Sequence, residues 1–314
     1  MVDALSDGRF LGNALKMLAK ECTVPDVHAD TALHSQDRPN GEVSGSDGFD
    51  KSVPSILGIW RLGHTLYRSN QCILMMGQPA DAIDSPRWDY VIKTFPNASK
   101  LWQSKQHVSR VSEVSSLVRH PNLMVTLDSS ATANTPYLVM PRLDGKRMQD
   151  QLQRGEATPL PIAIWITRQI SEALNSLHQA GWIHGNVSPN HILLSSNGHA
   201  TLIDLGLAQP IHTVTANHDR IDRGFAAPEW LSGDLAAIPA MDVFSLGRVL
   251  WSWLTATSSV SPAVLDPIAT LIESMVAIDP AERPLMTSVI KTLRELEIIS
   301  LGQHIVPNSA LKVA

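Results

Sequence analysis

Two short runs far apart in the chain carry side chains capable of chemistry, a lysine and an aspartate. Lys93 closes the run Tyr90-Val91-Ile92-Lys93, and Asp204 opens Asp204-Leu205-Gly206. An ammonium group carried on a strand can pair with phosphate oxygens, and a carboxylate can hold a hard cation such as Mg²⁺. Plainer readings stand beside both: a strand-edge charge reaching water for Lys93, and a turn-forming aspartate before glycine for Asp204. Between them lies Trp182-Ile183-His184-Gly185-Asn186-Val187-Ser188-Pro189-Asn190-His191-Ile192-Leu193-Leu194, rich in polar side chains but without a carboxylate. The amide oxygen of Asn186 is hardly basic and cannot accept a proton as a carboxylate would. His191 offers an imidazole, a poor match for Mg²⁺, which prefers oxygen. A zinc set of His184, His191 and Asp204 lacks a recognised ligand spacing, so His191 is expected to pack or hydrogen-bond within its own loop.

Bringing such distant residues together requires a folded domain. Short apolar or β-prone runs at Ile56–Trp60, Cys72–Met76, Trp88–Phe95, Leu123–Leu127 and Tyr137–Met140 predict five strands, with one helix among them over about 99–118. Beyond them the pattern turns helical. Ile162, Ile166, Ile170, Ala173 and Leu177 recur at steps of three and four, which predicts a buried stripe on a helix over 160–178. Val243, Leu246, Leu250 and Trp253 mark another helix over 242–255, and two more fit 263–277 and 286–297. Strands first and helices afterwards give a two-lobed α+β fold, a small β-rich lobe with one helix and a larger, mainly helical lobe. Ahead of this body, residues 10–23 space apolar side chains as a helix does. Residues 28–53 are too poor in large apolar groups to offset their ordering entropy and read as a linker.

The order of motifs resembles the protein-kinase superfamily over roughly residues 56–298. Val91-Ile92-Lys93 sits where that family carries its ATP-binding lysine, and His120-Pro121-Asn122-Leu123 resembles the segment after its regulatory helix. Tyr137-Leu138-Val139-Met140 leads into the hinge, and the His184 run is similar to the catalytic loop, His-Arg-Asp with an Asn five residues after the Asp. Asp204-Leu205-Gly206, Ala227-Pro228-Glu229, Asp242-Val243-Phe244-Ser245-Leu246-Gly247 and Asp279-Pro280-Ala281-Glu282-Arg283-Pro284 follow in the family's order. The resemblance implies a small lobe over 56–140, a hinge and large lobe over 141–298, a tail over 299–314, and Arg283 paired with Glu229.

It also implies an impaired site, a pseudokinase. On that frame Asn186 replaces the catalytic aspartate, Ser188 the phosphate-steadying lysine, His191 the metal-binding asparagine and Gly185 the arginine that receives an activation-segment phosphate. Tyr67, Ser69 and Cys72 replace the three loop glycines whose backbone N–H groups approach phosphates. The lysine's helical partner falls on Val111, with Glu113 turned away. Lys93 and Asp204 remain, so ATP and Mg²⁺ are the expected ligands. Met140 is the expected gatekeeper, Leu143 a hinge donor, Leu193 the pocket floor and Val91 a narrowing of the pocket. Two functions follow: a binding or scaffold module with a protein partner, or a weak Ser/Thr kinase using Lys93 and Asp204.

Composition narrows the field. The 314 residues are 44% hydrophobic and 18% charged, enough for a sizeable core. Net charge is −5, of which residues 1–55 carry −4 (nine acids, five bases), so no basic field points to nucleic acid. Two cysteines give no disulfide framework, and together with the absence of a recognisable signal peptide they fit a reducing cytoplasm. No uninterrupted apolar run is long enough to cross a membrane.

Overall fold

The computed structural model describes residues 53–82, 85–156, 158–214, 221–233, 236–254 and 262–304. The helix expected at 10–23 and nearly all of the 28–53 linker lie outside these residues, as does Thr215 of the activation segment. Gly48–Ala314 forms one compact unit.

The small lobe is a six-stranded antiparallel sheet in the order β1-β2-β3-β4-β6-β5. Its strands are β1 (Ile56–Leu57), β2 (Trp60–Arg68), β3 (Ile73–Pro79), β4 (Tyr90–Thr94), β5 (Asp128–Ser130) and β6 (Tyr137–Pro141). Alternation places Leu62, Ile73, Met75, Ile92 and Val139 in one apolar cluster, which Val53 and Leu57 also join. One helix, α1 (Leu101–Leu117), interrupts the strands and buries Ser104, His107, Val108, Val111, Val114 and Ser115 at helical spacing. The expected strand at Leu123–Leu127 does not form. Leu123 makes an isolated parallel bridge to Leu202, and Met124 donates its N–H to the Leu202 carbonyl at 2.8 Å. That stretch is therefore tied to the large lobe. Contact with β6 begins only at the end of the run, where Leu127 donates its N–H to the Val139 carbonyl at 2.8 Å. The ladder opens at Asp128, which the Trp60 indole N–H also grips at 2.6 Å.

The large lobe is built on α2 (Met148–Gln153), α3 (Leu160–Gln179), α4 (Pro228–Ser232), α5 (Pro239–Leu254), α6 (Pro262–Met275) and α7 (Met286–His304). The buried stripe of α3 runs through Ala163, Ile166, Ile170, Ala173 and Leu177, whereas Ile162 is 42% exposed and lies off it. The α7 helix continues to His304, past the expected end of the domain at 298. Arg168 on α3 bonds Glu297 on α7 at 2.6 Å and Glu172 at 2.8 Å, fastening the two helices. Short strands β7 (Lys146–Arg147), β9 (Ile192–Leu194) and β10 (Ala200–Leu202) form a second sheet, and β8 (Trp182–Ile183) pairs with β11 (Gln209–Pro210). Among the described residues no helix is long and apolar enough to cross a membrane. The architecture is the two-lobed α+β arrangement expected from the sequence.

Candidate functional site

The two residues singled out for chemistry meet. Lys93, in the middle of the sheet on β4, places its Nζ 2.9 Å from Asp204 Oδ2, with the lysine side chain only 13% exposed. Asp204 sits in the left-handed region (φ 65°), and its Oδ1 accepts the Gly206 N–H at 3.3 Å. The His107 Nε2 lies 3.9 Å from the same oxygen. Burial alone would raise the Asp204 pKa, but Lys93, His107 and His191 outweigh it and hold the carboxyl well below the usual range.

His107 and Arg110 are the site residues that the sequence did not reveal. Val111, the expected partner position, packs in the core, and Glu113 is exposed. One turn earlier on the same face, His107 lies over Gly206 so closely that a Cβ there would collide with its ring. Arg110 donates to the Gly206 carbonyl at 3.2 Å. The helix thus docks on the Asp204 turn through an imidazole and a guanidinium. The only signal was a polar residue at a buried position of an apolar stripe.

In the catalytic loop the polar side chains are turned into internal bonds. Asp242 on α5 accepts the His184 N–H at 2.8 Å, the Gly185 N–H at 2.9 Å and a bond from His178 Nε2 at 2.9 Å. Burial pushes its pKa up, but these donors more than offset it and leave the carboxyl below its ordinary value. His184 is fully buried, and burial drives its pKa down to about 4. Its neutral ring donates Nε2–H to the Ile203 carbonyl at 3.1 Å and accepts the Asn186 N–H at Nδ1, at 3.3 Å. Both nitrogens are engaged, so His184 is not placed as a metal ligand. Asn186 accepts the Asp222 N–H through Oδ1 at 3.0 Å. Ser188 is fully buried. His191 Nδ1 lies 2.8 Å from the Asn186 carbonyl, and since a carbonyl only accepts, that nitrogen carries the proton.

Gly185 needs to be glycine here. Its φ is +74°, and a Cβ would lie 2.9 Å from the Leu207 carbonyl oxygen and 3.5 Å from the Trp230 ring. Trp230 donates its indole N–H to the Gly185 carbonyl at 3.0 Å. Trp230 and Asp222 therefore join the activation segment to the catalytic loop. Asp222 carries no sequence signal of its own, and Trp230 is marked only as the residue that closes the run Ala227-Pro228-Glu229-Trp230. Further along, Arg283 grips Glu229 with two bonds, at 2.5 and 2.9 Å, as the resemblance implied.

The hairpin between β2 and β3 turns at Ser69–Cys72. The Ser69 hydroxyl accepts the N–H groups of Gln71 and Cys72, each at 3.2 Å. Those amides are satisfied by a side chain, where a glycine loop would offer them to phosphate. Tyr67 is 47% exposed. Of the residues expected to line an adenine pocket, Val91 and Met140 stand opposite each other across β4 and β6. Leu193 is on β9. Leu143 instead lines a cavity of about 450 Å³ with Val118, His120, Leu123, Pro141 and His199. In the activation segment, Thr213 donates its hydroxyl to the Pro210 carbonyl at 2.6 Å.

Comparison with known proteins agrees with this geometry. Residues 84–264, more than half of the chain, match the family model described as the protein kinase domain. The chain belongs to the protein kinase family. It is 31% identical over 139 residues to a probable serine/threonine-protein kinase of Clostridium perfringens, covering 43% of this chain and 20% of that one. The hormonally up-regulated neu tumor-associated kinase of Mus musculus is 27% identical over 199 residues, 61% of this chain and 27% of its own. The serine/threonine-protein kinase PknB of Mycobacterium leprae is 30% identical over 154 residues, 46% of this chain and 25% of its own. The chain thus spans under a third of the length of these relatives.

Domains of this family generally bind ATP with Mg²⁺. Lys93 fits a phosphate oxygen. The donor set fits the metal poorly: the Asp204 oxygens already face Lys93, the Gly206 N–H and His107, and the second position holds an imidazole where Mg²⁺ calls for oxygen. Among the described residues, no group of three or more His, Cys, Asp or Glu side chains is placed to hold a metal ion.

Proposed function

We propose that this chain is a pseudokinase, a kinase-fold module that acts by binding a protein partner, with its state set by a nucleotide in the cleft. The observation that carries this reading is Asn186. At the position where a kinase needs a carboxylate to take the proton of the attacking hydroxyl, it offers an amide whose oxygen is already bonded to the Asp222 N–H. Loss of a general base alone costs about 10²–10⁴ in rate. The buried Ser188 removes a positive charge from the transferring phosphate, and these losses act together. The framework bonds of Asp242 and Arg283 are meanwhile kept, which suits a fold retained for its surface. The scarcity of cysteine supports a cytoplasmic setting.

One observation favours a second reading. Lys93 and Asp204 are still in contact, so a weak Ser/Thr kinase remains the alternative. Phosphate transfer to the chain itself and to a generic protein substrate separates the two. The wild type should show none above background, and none should appear in the Asn186→Asp, His191→Asn double variant. Transfer by the wild type that disappears in Lys93→Ala would establish the kinase reading. Transfer gained only by the double variant would show that the cleft holds ATP productively and that chemistry alone was lost.

A further inference from the structure

The poor fit of the site to Mg²⁺ has a consequence for its ligand. Lys93 approaches Asp204 at 2.9 Å, His107 stands 3.9 Å from the other carboxylate oxygen, and the Gly206 N–H bonds that same oxygen at 3.3 Å. A magnesium ion needs near-octahedral oxygen ligands at about 2.0–2.1 Å and gives up water reluctantly. To bind Asp204 it would have to enter beside an ammonium and displace bonds already made. The neighbouring position gives no help, because His191 has its Nδ1 turned to the Asn186 carbonyl and supplies no oxygen. The hairpin amides of Gln71 and Cys72 are occupied by Ser69. Among the described residues, Lys93 is the positive charge kept at the phosphate-binding position of the kinase frame, where it meets Asp204.

We propose that the cleft takes a nucleoside triphosphate as the free anion, without a divalent cation, and that Mg²⁺ weakens the binding. Free ATP carries about two more negative charges than its magnesium complex, so the Lys93 ammonium attracts the free anion more strongly than the complex. The inference rests on the nucleotide-binding part of the proposed function and reverses the metal dependence that the family leads one to expect.

Thermal unfolding of the full chain tests it, with ATP in EDTA, ATP in excess Mg²⁺, adenosine, and inorganic tripolyphosphate. The melting shift should be largest with ATP in EDTA, shrink when Mg²⁺ is added, and be lost in Lys93→Ala. Asp204→Asn removes a negative charge facing the phosphates, so it should keep or enlarge the shift in EDTA. His191→Asn restores an oxygen ligand and should make Mg²⁺ less inhibitory. A wild-type shift that grows with Mg²⁺, or is abolished by Asp204→Asn, overturns this inference but leaves nucleotide binding standing. A shift with tripolyphosphate equal to that with ATP would reduce the ligand to a phosphate chain without its nucleoside, against the proposal. No shift with any ligand removes nucleotide binding and this inference together. The wild-type comparison of EDTA with Mg²⁺ decides the matter even if a variant fails to fold.

Discussion

Acidification should destabilise this protein through one buried imidazole. His184 is fully buried and its pKa lies at about 4, while an unfolded histidine titrates at about 6.5. Between these values the unfolded chain binds a proton that the folded chain refuses. The stability tied to His184 is therefore intact above about pH 6.5, declines as the pH falls, and is fully lost below about pH 4. Each pKa unit is worth about 1.4 kcal/mol, so the whole loss is about 3 kcal/mol, of which about 2 kcal/mol has gone at pH 5. Urea unfolding at about pH 7.5 and about pH 5, run on the wild type and on His184→Gln, isolates the term. Glutamine keeps an N–H that can reach the Ile203 carbonyl and does not titrate. Its own stability will be lower at both pH values, but the comparison concerns the slope. Asp242 and His178 remain in both proteins and cancel to first order. The wild type should lose about 2 kcal/mol more than the variant, roughly a 1 M difference in urea midpoint at a typical denaturant slope. Equal losses in the two proteins would refute the assignment of a neutral, buried His184.

Two further perturbations read the frame around the site. Gly185→Ala should cost about 1–2 kcal/mol for its left-handed backbone alone, and more for the contact with the Leu207 carbonyl; an unchanged melting temperature would show that the loop relaxes freely. Arg283→Met strands the Glu229 carboxylate in a buried position and should cost about 3–5 kcal/mol, whereas the joint Arg283→Met, Glu229→Leu replacement should recover most of it. If the double variant were as unstable as the single one, the loss would come from packing and not from an unpaired charge.

Much of this arrangement could be read in the sequence, and the failures have local causes. Ordered motifs gave the two-lobed fold and the Arg283–Glu229 pair, whereas the direct contact of Lys93 with Asp204 came only from the structure. The strand expected at Leu123–Leu127 failed because an apolar run looks the same whether its backbone pairs within a sheet or, as here, bonds to Leu202 in the other lobe. The strand that does form, Asp128–Ser129–Ser130, has no β-prone residue and is held by its neighbour β6 and by Trp60. Ile162 fits a four-residue step to Ile166 yet is exposed, because Leu160, Ala163 and Ile164 take the buried positions of the same turn of α3. His107 was missed because counting back to a carboxylate position presumes one helix register, and here a residue one turn earlier makes the contact.

The replaced residues share a physical logic that a list of lost catalytic groups would miss. A working kinase leaves its catalytic-loop side chains partly unsatisfied, aimed at a substrate, and such groups cost stability. Here the Asn186 oxygen is bonded to Asp222, the His191 Nδ1–H faces a carbonyl of its own loop, and the space beside Gly185 is filled by Trp230. Each substitution converts a group that would wait for a ligand into one that closes a bond within the fold. Replacing His191 therefore removes an internal contact as well as restoring an oxygen ligand, whereas Asn186→Asp keeps an oxygen that can accept the Asp222 N–H. That is why the Asn186→Asp, His191→Asn pair is expected to loosen the catalytic loop between positions 186 and 191 before it gains phosphate transfer.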